Sequence, residues 1–126
     1  MNYNEAKELM KEARNKAKGK PLENNTRLHE TEGGNYEVRL HGYAIVTIMP
    51  TCCRIDSCGW KTVTTKDRLN KYAWGGTSDN YNICVVQKKG TWYVKTWSPY
   101  SAEHTLTEFY DGMEFANLHA KKELVE

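Results

Sequence analysis

The stretch that most constrains the fold lies between residues 36 and 49. From 36 to 40, apolar side chains alternate with polar or charged ones, which is the pattern of a strand with one buried face. Gly42 then interrupts the pattern as a bulge or a hairpin corner. The run 43–49 is the most strand-like segment of the chain, and Pro50 closes it. Two neighbouring strands of this kind predict an antiparallel sheet.

Further strands are predicted on both sides of this pair in a meander. Short strands are expected through Ile55 and from Trp60 to Val63. The clearest hairpin pairs 83–86 with 92–97 across the turn at 88–91. A last strand, 106–110, ends at the turn Asp111-Gly112.

Helical periodicity marks the N-terminus. Ala6, Leu9, Met10, Ala13 and Ala17 share one face, Asn2 or Asn4 caps the helix, and Gly19 and Pro21 end it. Residues 20–34 are read as a polar connector. A second, short helix is expected after Thr64 or Thr65, with Thr64 and Asp67 in capping-box spacing, and a loop follows at 74–78.

These elements predict an α+β fold: a curved antiparallel sheet, a meander or partial barrel, with an N-terminal helix and short additional helices. The 126 residues are enough for one modest core, so a single domain over 1–126 is expected. Within it we predict the N-terminal helix at 1–19, the sheet core at 35–113, and a tail at 114–126 that forms a weakly amphipathic helix.

Charge is balanced overall. Eighteen Lys and Arg oppose 16 Asp and Glu, a formal net charge of +2, so a charged partner surface must arise from local segregation. No apolar run approaches the length of a membrane-spanning helix, and the N-terminus lacks the pattern of a signal peptide. We therefore expect an intracellular protein with no membrane partner and with free thiols at its four cysteines.

The richest candidate site is GWKTVTTKDRLNKY, residues 59–72. The expected helix start offers unpaired N–H groups and two hydroxyls to an anion, with lysines and Arg68 around it. Trp60, Tyr72 and Trp74 are candidate stacking planes for a base. Nucleic acid or a nucleotide is the expected ligand, bound by Arg39, His41, Trp60, Lys61, Thr64, Thr65, Lys66 and Arg68. The alternative is a plain strand-to-helix junction, with capping threonines and a core tryptophan.

Catalytic and metal chemistry find little support. Cys52, Cys53, Cys58 and Cys84 lack the paired spacing of zinc ligands, since two of them are adjacent. Glu108, Asp111 and Glu114 fit a polar strand end and turn as well as a cation site. The four histidines lie in no recognisable local signature, and no phosphate-binding glycine loop is present. We therefore predict no catalytic residue, no metal and no cofactor.

Several segments resemble a family of small bacteriophage and prophage proteins of largely unknown function. The matching segments are NNT at 24–26, VRLH at 38–41, IVT at 45–47, GWKTVTTKDRLN at 59–70, QKKG at 87–90 with its following aromatics, and FYDGM at 109–113. They follow the family's order over most of residues 20–115. The three cysteines at 52, 53 and 58 depart from the family pattern.

The resemblance implies a phage-encoded protein in the cytoplasm of an infected host cell, but no mechanism. Together with the candidate site it favours a non-enzymatic protein that binds nucleic acid or another phosphate-bearing ligand. The alternative is a protein–protein inhibitor of a host defence or transcription complex, of the anti-CRISPR or anti-restriction type. The weakest alternative is a small nuclease or hydrolase.

Overall fold

A computed structural model describes residues 1–74, 82–98, 100 and 103–116. In this part of the chain it has two helices and nine strands, so the fold is mostly β and agrees broadly with the predicted α+β class. The strands form two open antiparallel sheets rather than one meander. The predicted loop 74–78 beyond Trp74, and residues 117–126 of the predicted tail, lie outside the described residues.

The N-terminal helix, α1, covers Tyr3–Lys11. Asn2 caps it in a capping box with Glu5, which confirms the first of the two predicted caps. The predicted end at Gly19 is wrong, because the helix ends at Lys11. Asn15 Oδ1 accepts hydrogen bonds from the N–H groups of Ala17 (3.0 Å) and Lys18 (3.2 Å), and this local bonding replaces helical bonds in a turn.

Six strands form the larger sheet, in the order β1-β2-β3-β4-β5-β9. Their bounds are β1 Lys20–Glu23, β2 Thr26–Glu30, β3 Tyr36–Leu40, β4 Tyr43–Ile48, β5 Cys52–Ile55 and β9 Met113–Ala116. The expected alternation holds in β3, where Tyr36, Val38 and Leu40 are buried. Two predictions are wrong: the connector 20–34 contains the hairpin β1–β2, and 114–116 extend a strand rather than begin a helix.

The smaller sheet has the order β6-β7-β8, with β6 Asn82–Lys88, β7 Thr91–Trp97 and β8 His104–Glu108. Its β6–β7 hairpin confirms the prediction, and Trp92 and Val94 are buried on one face of β7. The strand predicted from Trp60 to Val63 is wrong, since the second helix, α2, begins at Val63 and covers Val63–Tyr72. Buried side chains of both helices and both sheets form one hydrophobic cluster.

Polar contacts attach α2 to both sheets. Asn70 donates to the carbonyl of Val85 (3.1 Å) and accepts from its N–H (2.7 Å), so the side chain pairs with the backbone of β6 as a strand would. On the other side, Arg68 Nε donates to Thr26 Oγ1 at 3.0 Å. These contacts come from the second half of α2 and hold the helix against β6 of the smaller sheet and β2 of the larger sheet.

Candidate binding pocket

The N-cap of α2 lies two or three residues before the predicted caps at Thr64 and Thr65. Thr62 is the N-cap, and its Oγ1 accepts from the Thr65 N–H at 3.1 Å. The Thr62 carbonyl also accepts from the Lys66 N–H at 3.0 Å. Thr64 and Thr65 therefore lie inside the first turn, and the predicted cap at either is wrong. The physical reason is backbone conformation: Thr62 is extended, with φ of −108° and ψ of 166° as an N-cap requires, whereas Thr64 and Thr65 are already helical.

A loop ahead of α2 is held by a carboxylate from far along the chain. Asp111 Oδ1 accepts from the Ser57 N–H (2.8 Å) and from Ser57 Oγ (2.7 Å), and Ser57 is only 1% exposed. The backbone N–H of Trp60 in turn donates to the Ser57 carbonyl at 3.0 Å. Asp111 thus fixes the position of the loop that carries Trp60.

The β3–β4 turn supplies the facing wall. His41 and Gly42 both have positive φ, 52° and 86°, as a two-residue hairpin turn requires. The register then shifts: Val38 pairs with Val46 but Arg39 pairs with Ala44, so Ile45 is an extra residue in β4. Beyond this bulge Tyr43 pairs with Leu40 and shares its face. The bulge therefore brings both Ile45 and Tyr43 towards the start of α2.

Between these elements lies a cavity of about 420 Å³, the Trp60 pocket. Its walls are mainly apolar and aromatic, with a few hydroxyls and no carboxylate among the described residues that line it. Tyr43 is 53% exposed and Trp60 is 59% exposed, which is unusual for rings of this size. The lining residues are Leu40, His41, Tyr43, Ile45, Ser57, Cys58, Trp60, Thr62, Thr64 and Thr65.

The one thiol in this lining is chemically quiet. Cys58 Sγ donates to the Ala44 carbonyl at 3.2 Å. Burial, assisted by the nearby Asp56 carboxylate, raises the pKa of Cys58 to about 11. The thiol therefore stays protonated at neutral pH, and the thiolate that a nucleophile needs is scarce.

Four of the eight predicted site residues meet at this pocket: His41, Trp60, Thr64 and Thr65. His41 lies exposed in the β3–β4 turn, and Thr64 is exposed in the first turn of α2. Thr65 is 1% exposed and its hydroxyl lies 3.1 Å from that of Thr62, so it is part of the wall and of the helix cap.

Arg68 does not line the pocket, because its guanidinium is committed elsewhere. Its side chain is 13% exposed, and Nη1 lies 3.2 Å from Glu23 Oε1 and also contacts Asp67. Together with the bond to Thr26, these contacts hold α2 on the β1–β2 hairpin. Arg68 is thus a structural anchor in this fold.

The other three cations have other neighbours as well. Lys61 Nζ lies 5.7 Å from the centroid of the Phe109 ring, a cation–π contact. Lys66 Nζ donates to Gln87 Oε1 at 3.1 Å, and Arg39 Nη2 pairs with Glu37 Oε1 at 2.7 Å. These side chains are partly exposed and so keep some capacity for an anion, but none lines the Trp60 pocket.

The candidate stacking planes also differ from expectation. Trp74 is 1% exposed and belongs to the core, and the Tyr72 hydroxyl donates to Glu23 Oε2. Trp60 alone of the three predicted planes is open to a ligand. Tyr43, the second exposed ring of the pocket, was not among the predicted site residues, although its place directly after the His41-Gly42 turn marks it as a residue at the rim of a sheet.

Neither a cluster of metal ligands nor a membrane-spanning helix is present in the described part of the chain. No three His, Cys, Asp or Glu side chains of residues 1–74, 82–98, 100 and 103–116 are grouped as a metal site would need. Cys52 and Cys53, being adjacent in β5, point to opposite faces of the sheet. Neither α1 nor α2 is long and apolar enough to cross a membrane.

Comparison with known proteins gives one match. No curated protein and no solved structure matches the chain. A family model described as Kyanoviridae Gp96 protein matches residues 4–116, which include α2, all of α1 except Tyr3, all nine described strands and the whole Trp60 pocket. The chain is therefore a member of the Kyanoviridae Gp96 family of phage proteins.

Proposed function

We propose that this phage protein acts by binding in the host cell, and that the Trp60 pocket takes one nucleotide unit of a single-stranded nucleic acid. The observation that carries the proposal is the pair of half-exposed rings, Tyr43 and Trp60, on one cavity of about 420 Å³. Aromatic side chains open to solvent on a concave surface are typical stacking platforms for bases, and each contributes about 1–3 kcal/mol.

The polar groups of the pocket suit the rest of a nucleotide. Thr62 and Thr64 carry hydroxyls at the positive end of the α2 dipole, where a phosphate oxygen is favoured. His41 lies at the opposite side, in the β3–β4 turn. No carboxylate is among the described residues that line the pocket; Asp56 and Asp111 accept hydrogen bonds from the lining residues Cys58 and Ser57 but do not line it themselves. The ligand is held by stacking first and by charge second.

The test uses a fluorescently labelled single-stranded oligonucleotide and fluorescence polarisation. Trp60→Ala should weaken binding by about tenfold or more, because one stacked base is lost. Trp97→Ala is the matched control, since Trp97 is a partly exposed tryptophan whose ring lies against His104, outside the pocket. Tyr43→Ala should weaken binding similarly, with Tyr110→Ala as its control. Equal affinities for the Trp60 and Trp97 variants would refute the proposal.

A protein partner is the second candidate. The observation in its favour is Val63, which is 79% exposed directly after the Thr62 cap and close in sequence to Trp60. A base needs no such apolar residue outside the pocket, whereas a protein interface of the host defence or transcription type uses it as part of a buried patch. Val63→Gln, which replaces the apolar side chain without adding charge beside the pocket, should weaken capture of one host protein from nuclease-treated lysate and leave oligonucleotide affinity unchanged. Loss of oligonucleotide affinity alone would exclude this candidate.

A further inference from the structure

A second concave site lies away from the Trp60 pocket, where the chain turns from α1 into β1. This basic cleft has a volume of about 300 Å³ and is lined by Glu12, Arg14, Asn15, Lys18, Gly19, Lys20, Pro21 and Arg27. Four of these residues are cationic and one is acidic. None of them belongs to the lining of the Trp60 pocket, so the two sites are separate.

The backbone that shapes the cleft is fixed. The Gly19 N–H donates to the Asn15 carbonyl at 3.1 Å, and Gly19 has φ of 78°. A Cβ there would lie 2.5 Å from the Leu28 carbonyl oxygen of β2, so only glycine fits. The turn is thereby held against β2, and Arg27 Nη1 donates across it to the carbonyls of Lys18 (3.2 Å) and Gly19 (3.5 Å).

The charges of the cleft are not neutralised internally. Lys20 Nζ pairs with Glu12 Oε2 at 3.5 Å, which accounts for the single acid. Among the described residues no carboxylate pairs with Arg14, Lys18 or Arg27, and all three side chains are exposed. The cleft thus presents three positive charges that have no carboxylate partner among the described residues, around a concave surface.

The positive surface continues onto the outer face of the larger sheet. Arg27 of β2 is the direct cross-strand partner of Arg39 in β3, an arrangement that normally destabilises a sheet. On the same face, burial lowers the pKa of His29; the charges of Arg39 and Arg27 add to this effect, and the charge of Glu37 opposes it. Glu37, which pairs with Arg39 Nη2 at 2.7 Å, offsets part of the repulsion between Arg27 and Arg39, and an anionic ligand at Arg27 would offset the rest.

We propose that the basic cleft binds phosphate groups of a nucleic-acid backbone. Guanidinium groups match phosphate oxygens in bidentate geometry, and Arg14 and Arg27 provide two of them at one cleft. Arg27 of the cleft is the cross-strand neighbour of Arg39, so a strand with regularly spaced phosphates has a further guanidinium beside the cleft. This site reads no base, so its contribution is sequence-independent and strongly salt-dependent.

Two probes test the proposal, sodium tripolyphosphate by calorimetry and a labelled single-stranded oligonucleotide by polarisation. Arg14→Gln/Lys18→Gln should weaken tripolyphosphate binding by about tenfold or more and reduce the salt slope for the oligonucleotide by about 1.4, since each single-strand phosphate contact contributes about 0.7. Lys88→Gln/Lys89→Gln removes the same charge at the β6–β7 turn and should change either affinity less than about twofold. Both pairs are exposed, so the variants should fold.

Trp60→Ala separates this site from the pocket, because tripolyphosphate has no base to stack and its affinity should not change. The proposal is overturned if tripolyphosphate binds the Arg14/Lys18 variant as tightly as the unmodified chain, or does not bind the unmodified chain. It is also overturned if the Arg14/Lys18 variant loses tripolyphosphate but keeps full oligonucleotide affinity and salt slope. Cleft-dependent binding of a poly-glutamate peptide without tripolyphosphate binding would assign the cleft to an acidic protein instead.

Discussion

Replacing Asp111 with alanine should destabilise the whole fold, although Asp111 itself is exposed at a turn. Its Oδ1 accepts two hydrogen bonds from Ser57, at 2.8 Å from the N–H and 2.7 Å from Oγ. Ser57 is 1% exposed, so water cannot readily replace the lost acceptor. The substitution therefore leaves two buried donors without their partner.

The size of the effect follows from these contacts. A hydrogen bond to a charged acceptor contributes about 1.5–3 kcal/mol, and the exposure of Asp111 places each of these bonds near the lower end. We therefore expect Asp111→Ala to lower the free energy of unfolding by about 2–4 kcal/mol, a large part of the stability of a small domain. Asp111→Asn keeps an oxygen at the same place and loses only the charge, so it should cost about 1–2 kcal/mol.

Urea denaturation followed by far-ultraviolet circular dichroism measures both variants. A double-mutant cycle with Ser57→Ala, which removes the hydroxyl but keeps the N–H bond, should give a coupling energy of about 1–2 kcal/mol. The alanine variant should also bind the oligonucleotide more weakly than the asparagine variant, because the backbone N–H of Trp60 donates a hydrogen bond to the Ser57 carbonyl and so depends on the position of Ser57. An Asp111→Ala protein within about 0.5 kcal/mol of the unmodified chain would refute this reasoning.

Two further predictions concern the contacts between α2 and the β1–β2 hairpin. Arg68→Met should lower the free energy of unfolding by about 1–3 kcal/mol in urea titrations, because it removes the bond to Thr26 and the pair with Glu23. The control, Lys66→Met, should change the free energy of unfolding by less than about 0.5 kcal/mol. Equal effects of the two substitutions would contradict the anchoring role of Arg68. The hydrogen bond from Tyr72, with help from Lys71 and Arg68, lowers the pKa of Glu23 below its ordinary 4.5 in the folded chain. The ionised Glu23 carboxylate therefore stabilises the fold fully above the pKa that Glu23 has in the unfolded chain, and this stabilisation is lost as the pH falls through its lower pKa in the folded chain. Below pH 4.5 the urea midpoint of Glu23→Gln should consequently fall less steeply than that of the unmodified chain. Parallel curves for the two proteins would show that Glu23 does not titrate differently on folding.

The sequence predicts elements best where burial follows a simple period. In β3 and in the first half of β7 every second residue enters the core, so the alternation is visible in the residue types themselves. The hairpin β1–β2 lacks this signal because its buried residues include Thr26, a polar side chain, and its partner strand contains Pro21. Its one local mark is the pair Asn24-Asn25, where Asn25 has φ of 55°, as such a turn requires.

The start of α2 shows a different limit. Four threonines lie between residues 62 and 77, and three of them fall within the segment where the helix begins. Each is an acceptable cap by residue type, and the choice depends on where the preceding loop delivers the chain. Asp111 fixes that loop from 54 residues away in sequence. A local pattern therefore identifies the helix but cannot identify its first residue.

Tertiary contacts also decide which candidate ligand residues could be predicted from the sequence. Arg68 and Lys66 are both cations on a short helix, and only tertiary contacts tell them apart: Arg68 meets Thr26, 42 residues away, whereas Lys66 meets one amide at the surface. Likewise Trp60 and Trp74 are equivalent by residue type, but one is 59% exposed and the other 1%. Exposure of a large ring is decided by what packs against it.

Trp60 lies beyond the edge of the core, held there by Ser57 and Asp111, and the fold accepts this exposed ring although burying it would have gained stability. The functional proposal rests on that exposed ring, and a chain in which Trp60→Ala kept full stability but lost its ligand would show that the exposure serves binding.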